Sequence, residues 1–176
     1  MGEPKGFLLT WTCYGTCLWG DERGSVDANH NAFSTPLLPK DDKRVTALRR
    51  RMKHEPYKLS EAARRIVHET IEEHSRRESW ELLAVNVRSN HVHAVVRYAG
   101  VSPEAMIGDW KSWGTRGLRA CGLAGPTQPV WTKHGSTRYL WKNDELSRAI
   151  QYVLEGQDAD RFGDQSAGRK PGDIVA

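Results

Sequence analysis

Apolar, β-branched and aromatic residues run together at Gly6–Cys13 (GFLLTWTC), bounded by glycines, and this reads as a buried β-strand. The pattern then breaks up. From Tyr14 to Lys58 the interruptions Gly15, Gly20, Gly24, Pro36, Pro39 and Pro56 predict a long loop, with room for a short helix in its basic stretch. Ser60 is placed to cap a helix in which Ala63, Ile66, Val67, Thr70, Ile71 and His74 recur at helical spacing as far as Arg77. Trp80–Arg88 (WELLAVNVR) and His91–Tyr98 (HVHAVVRY) read as strands, and only Ser89 and Asn90 separate them, which predicts a tight hairpin. Ser102 and Pro103 open another helix with Met106, Ile107, Trp110 and Trp113 on its apolar side. Gly108, Gly114 and Gly117 weaken that helix and are expected to let it lie close to the sheet. Breakers from Cys121 to Pro129 end it. Ser136–Trp141 predicts a last strand, and Asn143 or Asp144 is expected to cap a final helix reaching Glu155.

Strand, helix, strand, strand, helix, strand, helix is an order that suits an α+β protein. The expectation is a ferredoxin-like, four-stranded antiparallel sheet (βαββαβ) with helices on one face and an extra C-terminal helix. Residues 1–157 are expected to form one domain with a long basic loop at 14–58, and residues 158–176 a polar, flexible tail. Such a fold fixes no function.

Composition narrows the classes. With 38% hydrophobic and 27% charged residues in 176, the chain has the balance of a soluble globular domain. No apolar run approaches the ~18 residues of a membrane span, and no leader-like segment opens the sequence, which points to the cytoplasm and away from a membrane. Cys13, Cys17 and Cys121 are odd in number and contain no CxxC pair, so reduced thiols are expected in place of disulfides or a zinc site. The net charge of +4 hides an uneven distribution. Lys43, Arg44, Arg49, Arg50, Arg51 and Lys53 crowd into one acid-free stretch, and Lys111, Arg116, Arg119, Lys133, Arg138, Lys142 and Arg148 are scattered over the C-terminal half. Such cations favour a phosphate backbone by releasing its counterions. Arg49, Arg50, Arg51, Lys53, Lys111, Arg116, Lys133, His134 and Arg138 are therefore the candidate nucleic-acid contacts.

The chemistry concentrates in two places. In Asn90–His93 (NHVH) the histidines are two apart on a strand, so both imidazoles project from one face as arms of a metal site, while Val92, Ala94, Val96 and Tyr98 face the helices. In the last helix Leu146, Ala149, Ile150, Val153 and Leu154 form the core-facing stripe, and Tyr152 falls well off it. A phenol titrates near pH 10 and is a weak nucleophile unless charge developing on its target is stabilised. A divalent cation on the histidine pair supplies that stabilisation for a phosphate. Gln157 or Glu155 follows Tyr152 closely enough to add a ligand, with Gln157 favoured. Imidazole with an amide oxygen and waters suits Mg2+ or Mn2+.

Together these segments resemble the IS200/IS605-like single-tyrosine HUH transposases, in the branch related to REP-associated tyrosine transposases. FLLTWTCYGTCLWGDERGSVD, NHVH, WTKHGSTRYLW and AIQYVLEGQ match that family's opening strand and loop, HUH motif, last strand and tyrosine helix, in the correct order. The resemblance implies His91 and His93 as metal ligands, Tyr152 as nucleophile and Gln157 as third ligand. It implies cleavage of single-stranded DNA to a 5′-phosphotyrosine with a free 3′-hydroxyl, strand transfer, recognition of hairpin or palindromic ends, and work at the nucleoid. Better-known members carry the polar ligand four residues after the tyrosine, where this chain has Gly156. Some members are homodimers with exchanged tyrosine helices, and relatives tied to repeated palindromes are monomers. The rival readings are a non-catalytic single-stranded nucleic-acid-binding module on the same fold and a rolling-circle replication initiator-like relaxase. Against the first, the histidine strand offers His91, His93, Val95 and Arg97 where aromatic platforms are expected. Against the second, the chain is too short to hold a helicase domain.

Overall fold

A computed structural model describes residues 2–18 and 40–155. Its elements are β1 (Gly6–Thr12), α1 (Asp42–Arg51), α2 (Glu61–Arg77), β2 (Leu82–Val87), β3 (His91–Arg97), α3 (Pro103–Ala120), β4 (Ser136–Leu140) and α4 (Asn143–Glu155). The chain divides into two compact units, Met1–Thr16 with Pro56–Gly156 and Cys17–Glu55 with Gln157–Ala176. No helix among the described residues is long and apolar enough to cross a membrane.

The first unit is built on a four-stranded sheet in the order β2-β3-β1-β4, with every neighbouring pair antiparallel. This is the ferredoxin-like sheet expected from the element order. Alternation along the central strands divides the apolar residues between the two faces. Phe7, Leu9 and Trp11 of β1 and Val92, Ala94 and Val96 of β3 pack with Val67 and Ile71 of α2 and Met106, Trp110 and Leu118 of α3. Val95 of β3 and Leu140 of β4 pack on the other face with Leu146, Ala149 and Val153 of α4. Trp11 and Trp110 stack at 5.8 Å between ring centroids. Each such ring removes about 200 Å² from water, worth on the order of 5 kcal/mol at ~25 cal/mol/Å². The polar edge of Trp110 is satisfied, Nε1 donating to Ser75 Oγ at 3.1 Å.

Local chemistry sets the helix ends. Ser60 and Ser102 accept from the backbone N–H groups of Ala63 and Ala105 at 3.2 and 3.3 Å, as the sequence predicts for caps. At α4 the expectation differs. Asn143 already lies within the helix, and Glu145 Oε2 accepts from the N–H groups of Trp141 and Lys142 at 2.7 and 3.1 Å. A carboxylate three residues in, reaching back, does the work expected of a capping Asn or Asp. The hairpin turn also departs from the usual form. Neither Ser89 nor Asn90 has a positive φ, and their carbonyls accept from Leu59 N and Cys13 N, both at 2.7 Å. Neighbouring chain, in place of a left-handed residue, holds this turn.

Glycine 117 brings α3 close to α2 and not to the sheet: a Cβ there would stand 3.1 Å from Ile66 Cγ2 and from Thr70 Oγ1. In the second unit, α1 begins at Asp41, whose side chain accepts from Arg44 N, and ends on Arg49, Arg50 and Arg51. Cations in a last turn complement the negative end of the helix dipole. The expected loop thus contains an ordered helix across its basic stretch.

Gly6 permits the tightest approach in the sheet, since a Cβ on it would lie 2.5 Å from the carbonyl oxygen of Val96. Gly6→Ala is expected to lower stability by about 1–3 kcal/mol, the cost of overpacking against an immobile group. Urea unfolding reads this directly, and an unchanged midpoint would mean that β1 and β3 part more easily than described.

Candidate active site

His91 and His93 project from the face of β3 that α4 covers, beside Val95, because residues two apart on a strand share a side. Their rings lie edge to face with centroids 4.7 Å apart. Tyr152, on α4, meets the pair: its ring is 5.9 Å from that of His93, again edge to face at 80°. Imidazoles and phenol come from segments about 60 residues apart in the sequence and reach one spot because α4 folds back over β3.

Both imidazoles are oriented by their Nδ1 atoms. His91 Nδ1 lies 2.6 Å from Asn90 Oδ1, and an amide oxygen only accepts, so that ring carries its proton on Nδ1 and turns the Nε2 lone pair away. His93 Nδ1 lies 2.7 Å from Thr10 Oγ1. Partners of this kind fix tautomer and ring angle in histidines that bind metals. His93 is only 4% exposed. Burial foremost, with the neighbouring His91 and the Arg88 guanidinium further opposing a charge on the ring, lowers its pKa from 6.5 to about 3, so the ring is neutral at ordinary pH. Neutral imidazole is the ligand form.

Strand register extends this arrangement sideways. Thr10 of β1 and Asn86 of β2 both stand opposite His93. Thr10 anchors the ring, while Asn86 Nδ2 donates to Val153 O on α4 at 2.9 Å. A carbonyl in the last turn of a helix has no partner within the helix, so Asn86 satisfies one and ties the tyrosine helix to the strand beside His93. Residue type alone does not single out Thr10, Asn86 and Arg88. The signal was available for two of them: the hairpin with a two-residue turn pairs Asn86 with His93 and Arg88 with His91, and polar residues at inward positions of a strand need a reason.

α4 is rotated from its expected setting. Leu146, Ala149 and Val153 are buried, but Leu154 is 59% exposed and Tyr152 packs partly into the cluster around Val95. The apolar stripe is therefore turned towards Tyr152 and away from Leu154. Glu155 is exposed, its Oε2 accepting from Gln151 Nε2 at 2.9 Å, and Gln157 lies outside the described residues. Among the described residues no group of three or more His, Cys, Asp or Glu side chains is placed to hold a metal. Two anchored neutral imidazoles fit an ion that takes its remaining ligands from water, amide or substrate oxygens.

The expected cations separate into groups. Arg49, Arg50 and Arg51 end α1, and the exposed Lys53 follows them in the second unit. Arg116 lies on α3, on the other side of the sheet from the histidines, with its guanidinium 4.8 Å over the Trp113 ring. Lys111 Nζ donates to the carbonyls of Thr132 and His134 at 2.9 and 3.0 Å, and burial lowers its pKa from 10.5 to about 8. It tethers the loop that carries the exposed Lys133 and His134. That loop meets the histidine end of the sheet, since Thr132 bonds Thr12 and Thr12 stands opposite His91. Arg138 of β4 stands opposite Leu8, on the face that α4 covers.

A family model described as "Transposase IS200 like" matches residues 44–148. A solved structure of a REP-associated tyrosine transposase bound to a REP hairpin is similar in fold, with a TM-score of 0.51 over 89% of this chain and 68% of that one, at 11% identity. No curated protein matches the sequence.

The burial of His93 makes stability depend on pH. The unfolded chain takes up a proton near pH 6.5 while the folded one resists to about pH 3, so this ring's contribution is present above pH 6.5 and declines as pH falls through that window. With chelator present, the urea midpoint should drop on acidification, and less steeply in His93→Gln. Equal slopes in the two proteins would assign the effect to other groups.

Proposed function

The chain belongs to the IS200-like transposase family, and on that premise we propose that it cuts and rejoins single-stranded DNA through a covalent bond to Tyr152. The approach of Tyr152 to His93, 5.9 Å between rings, carries this reading. A phenol beside two anchored imidazoles is the arrangement that phosphoryl transfer to tyrosine needs.

His91 and His93 would hold a divalent ion through Nε2, with Gln157 as a third ligand, and Mg2+ and Mn2+ both suit the set. When bound, the ion polarises the scissile phosphate and offsets its growing negative charge. Thr10 and Asn90 keep the imidazoles oriented, and Asn86 holds the last turn of α4 so that the phenol faces the histidines. The phenolic oxygen of Tyr152 attacks phosphorus and loses its proton to water. The bond from phosphorus to the 3′ oxygen breaks, and that oxygen leaves as a hydroxyl after taking up a proton. A 5′-phosphotyrosine remains, and attack on it by a 3′-hydroxyl restores a phosphodiester and frees Tyr152. One ester replaces another at each step, so rejoining needs no nucleotide cofactor.

Hairpin or palindromic DNA ends are the proposed substrate, in keeping with the family and with the hairpin held by the fold neighbour. Arg49, Arg50, Arg51, Lys53, Lys133, His134 and Arg138 are the proposed backbone contacts. Lys111 and Arg116 join them with smaller expected shares, one ammonium being tied to two carbonyls and one guanidinium resting on Trp113. A single HUH domain over residues 1–157, acting in the cytoplasm at the nucleoid, belongs to the same proposal.

Incubated with a single-stranded hairpin oligonucleotide and Mn2+, the wild-type protein should become covalently attached to DNA, and both Tyr152→Phe and His93→Ala should abolish the attachment. Hairpin affinity should stay within about tenfold, because the cationic contacts remain. Tight binding with no adduct at any metal concentration would favour a non-catalytic binding module, and an adduct that persists in Tyr152→Phe would remove Tyr152 from its role.

A further inference from the structure

Arg88 stands at the histidine end of the hairpin. Its N–H donates to His91 O at 2.8 Å, closing the turn, and the register that pairs Val87 with Val92 and Asn86 with His93 continues to pair Arg88 with His91. Alternation then puts its side chain on the same face as Asn86, His91 and His93. The residue is half-buried, yet among the described residues its guanidinium takes part in no hydrogen bond or ion pair. Arg77, Arg97 and Arg148, by contrast, each have a carboxylate. The guanidinium nitrogens of Arg88 stay in reach of water and are not taken up by a carboxylate of the described residues. They are therefore open to an anion, and a guanidinium offers a planar fork of donors that matches phosphate oxygens.

We propose that Arg88 is a catalytic residue that grips the scissile phosphodiester, donating to its non-bridging oxygens while Tyr152 attacks. This rests on the phosphotyrosine reading above. A metal site and a guanidinium on one face of a hairpin repel each other until an anion lies between them, so both draw the same group. No covalent step is added: Arg88 keeps its protons, and its fixed charge acts as negative charge builds on the phosphorus oxygens.

Arg88→Gln and Arg88→Lys test this by two measurements. In a Tyr152→Phe background, the dependence of hairpin affinity on salt should weaken on Arg88→Gln, the slope of log K against log salt falling by about 0.7 for one lost single-strand phosphate contact. At saturating DNA, the single-turnover rate of adduct formation should fall about 100-fold or more in Arg88→Gln, as for loss of a transition-state donor, with partial recovery in Arg88→Lys. The Mn2+ affinity of the DNA-free protein should not weaken, which a merely structural disturbance of the hairpin would cause. A rate within about threefold of wild type overturns the proposal, as does a changed slope with an unchanged rate, which places the contact away from the scissile phosphate. If the wild-type protein itself forms no adduct, the phosphotyrosine reading fails, and the salt slope alone decides whether Arg88 holds a DNA phosphate.

Discussion

The imidazole of His93 sits inside a sheet covered on both faces, and a polar ring there is tolerated only while its hydrogen bonds are made and its charge is absent. Leaving such a group unsatisfied costs about 1–3 kcal/mol. Thr10 meets this demand from β1, which is why a hydroxyl interrupts the apolar segment Phe7–Trp11 at the one position opposite the ring. Asn86 meets a related demand from β2, giving an amide to a helix carbonyl that would otherwise be left without a partner. Polar side chains on β1, β2 and β3 thus form a row across the sheet whose members explain one another.

Much of this was legible in the chain. The alternation HVHAVVRY separates two faces, and the structure puts Val92, Ala94 and Val96 against α2 and α3 while His91 and His93 lie on the side of α4. The helix caps at Ser60 and Ser102 follow from residue type and spacing alone. Long-range packing was harder to read. The rotation of α4 is set by Val95 and Leu140 on other elements, and the sequence of the helix gives Leu154 and Tyr152 no distinguishing signal. Gly117 announced a close approach but not its partner, which is α2.

Cations illustrate the same limit from the side of electrostatics. A sequence counts Lys111, Arg116 and Arg88 alike. In the fold Lys111 is a tether for the loop before β4 and Arg116 rests on an indole ring. Such placements carry energy of their own, ~0.5–1 kcal/mol for an exposed cation over an aromatic face. Charge that already serves the fold has less to offer a ligand than charge held without a partner.

The contact between Asn86 and Val153 bears on stoichiometry. A strand and a helix of one polypeptide bring phenol and imidazole together, so no trading of helices between copies is required to assemble these three rings. Strand and helix thus bear on each other within a single polypeptide, and what ties phenol to imidazole is an amide on a neighbouring strand.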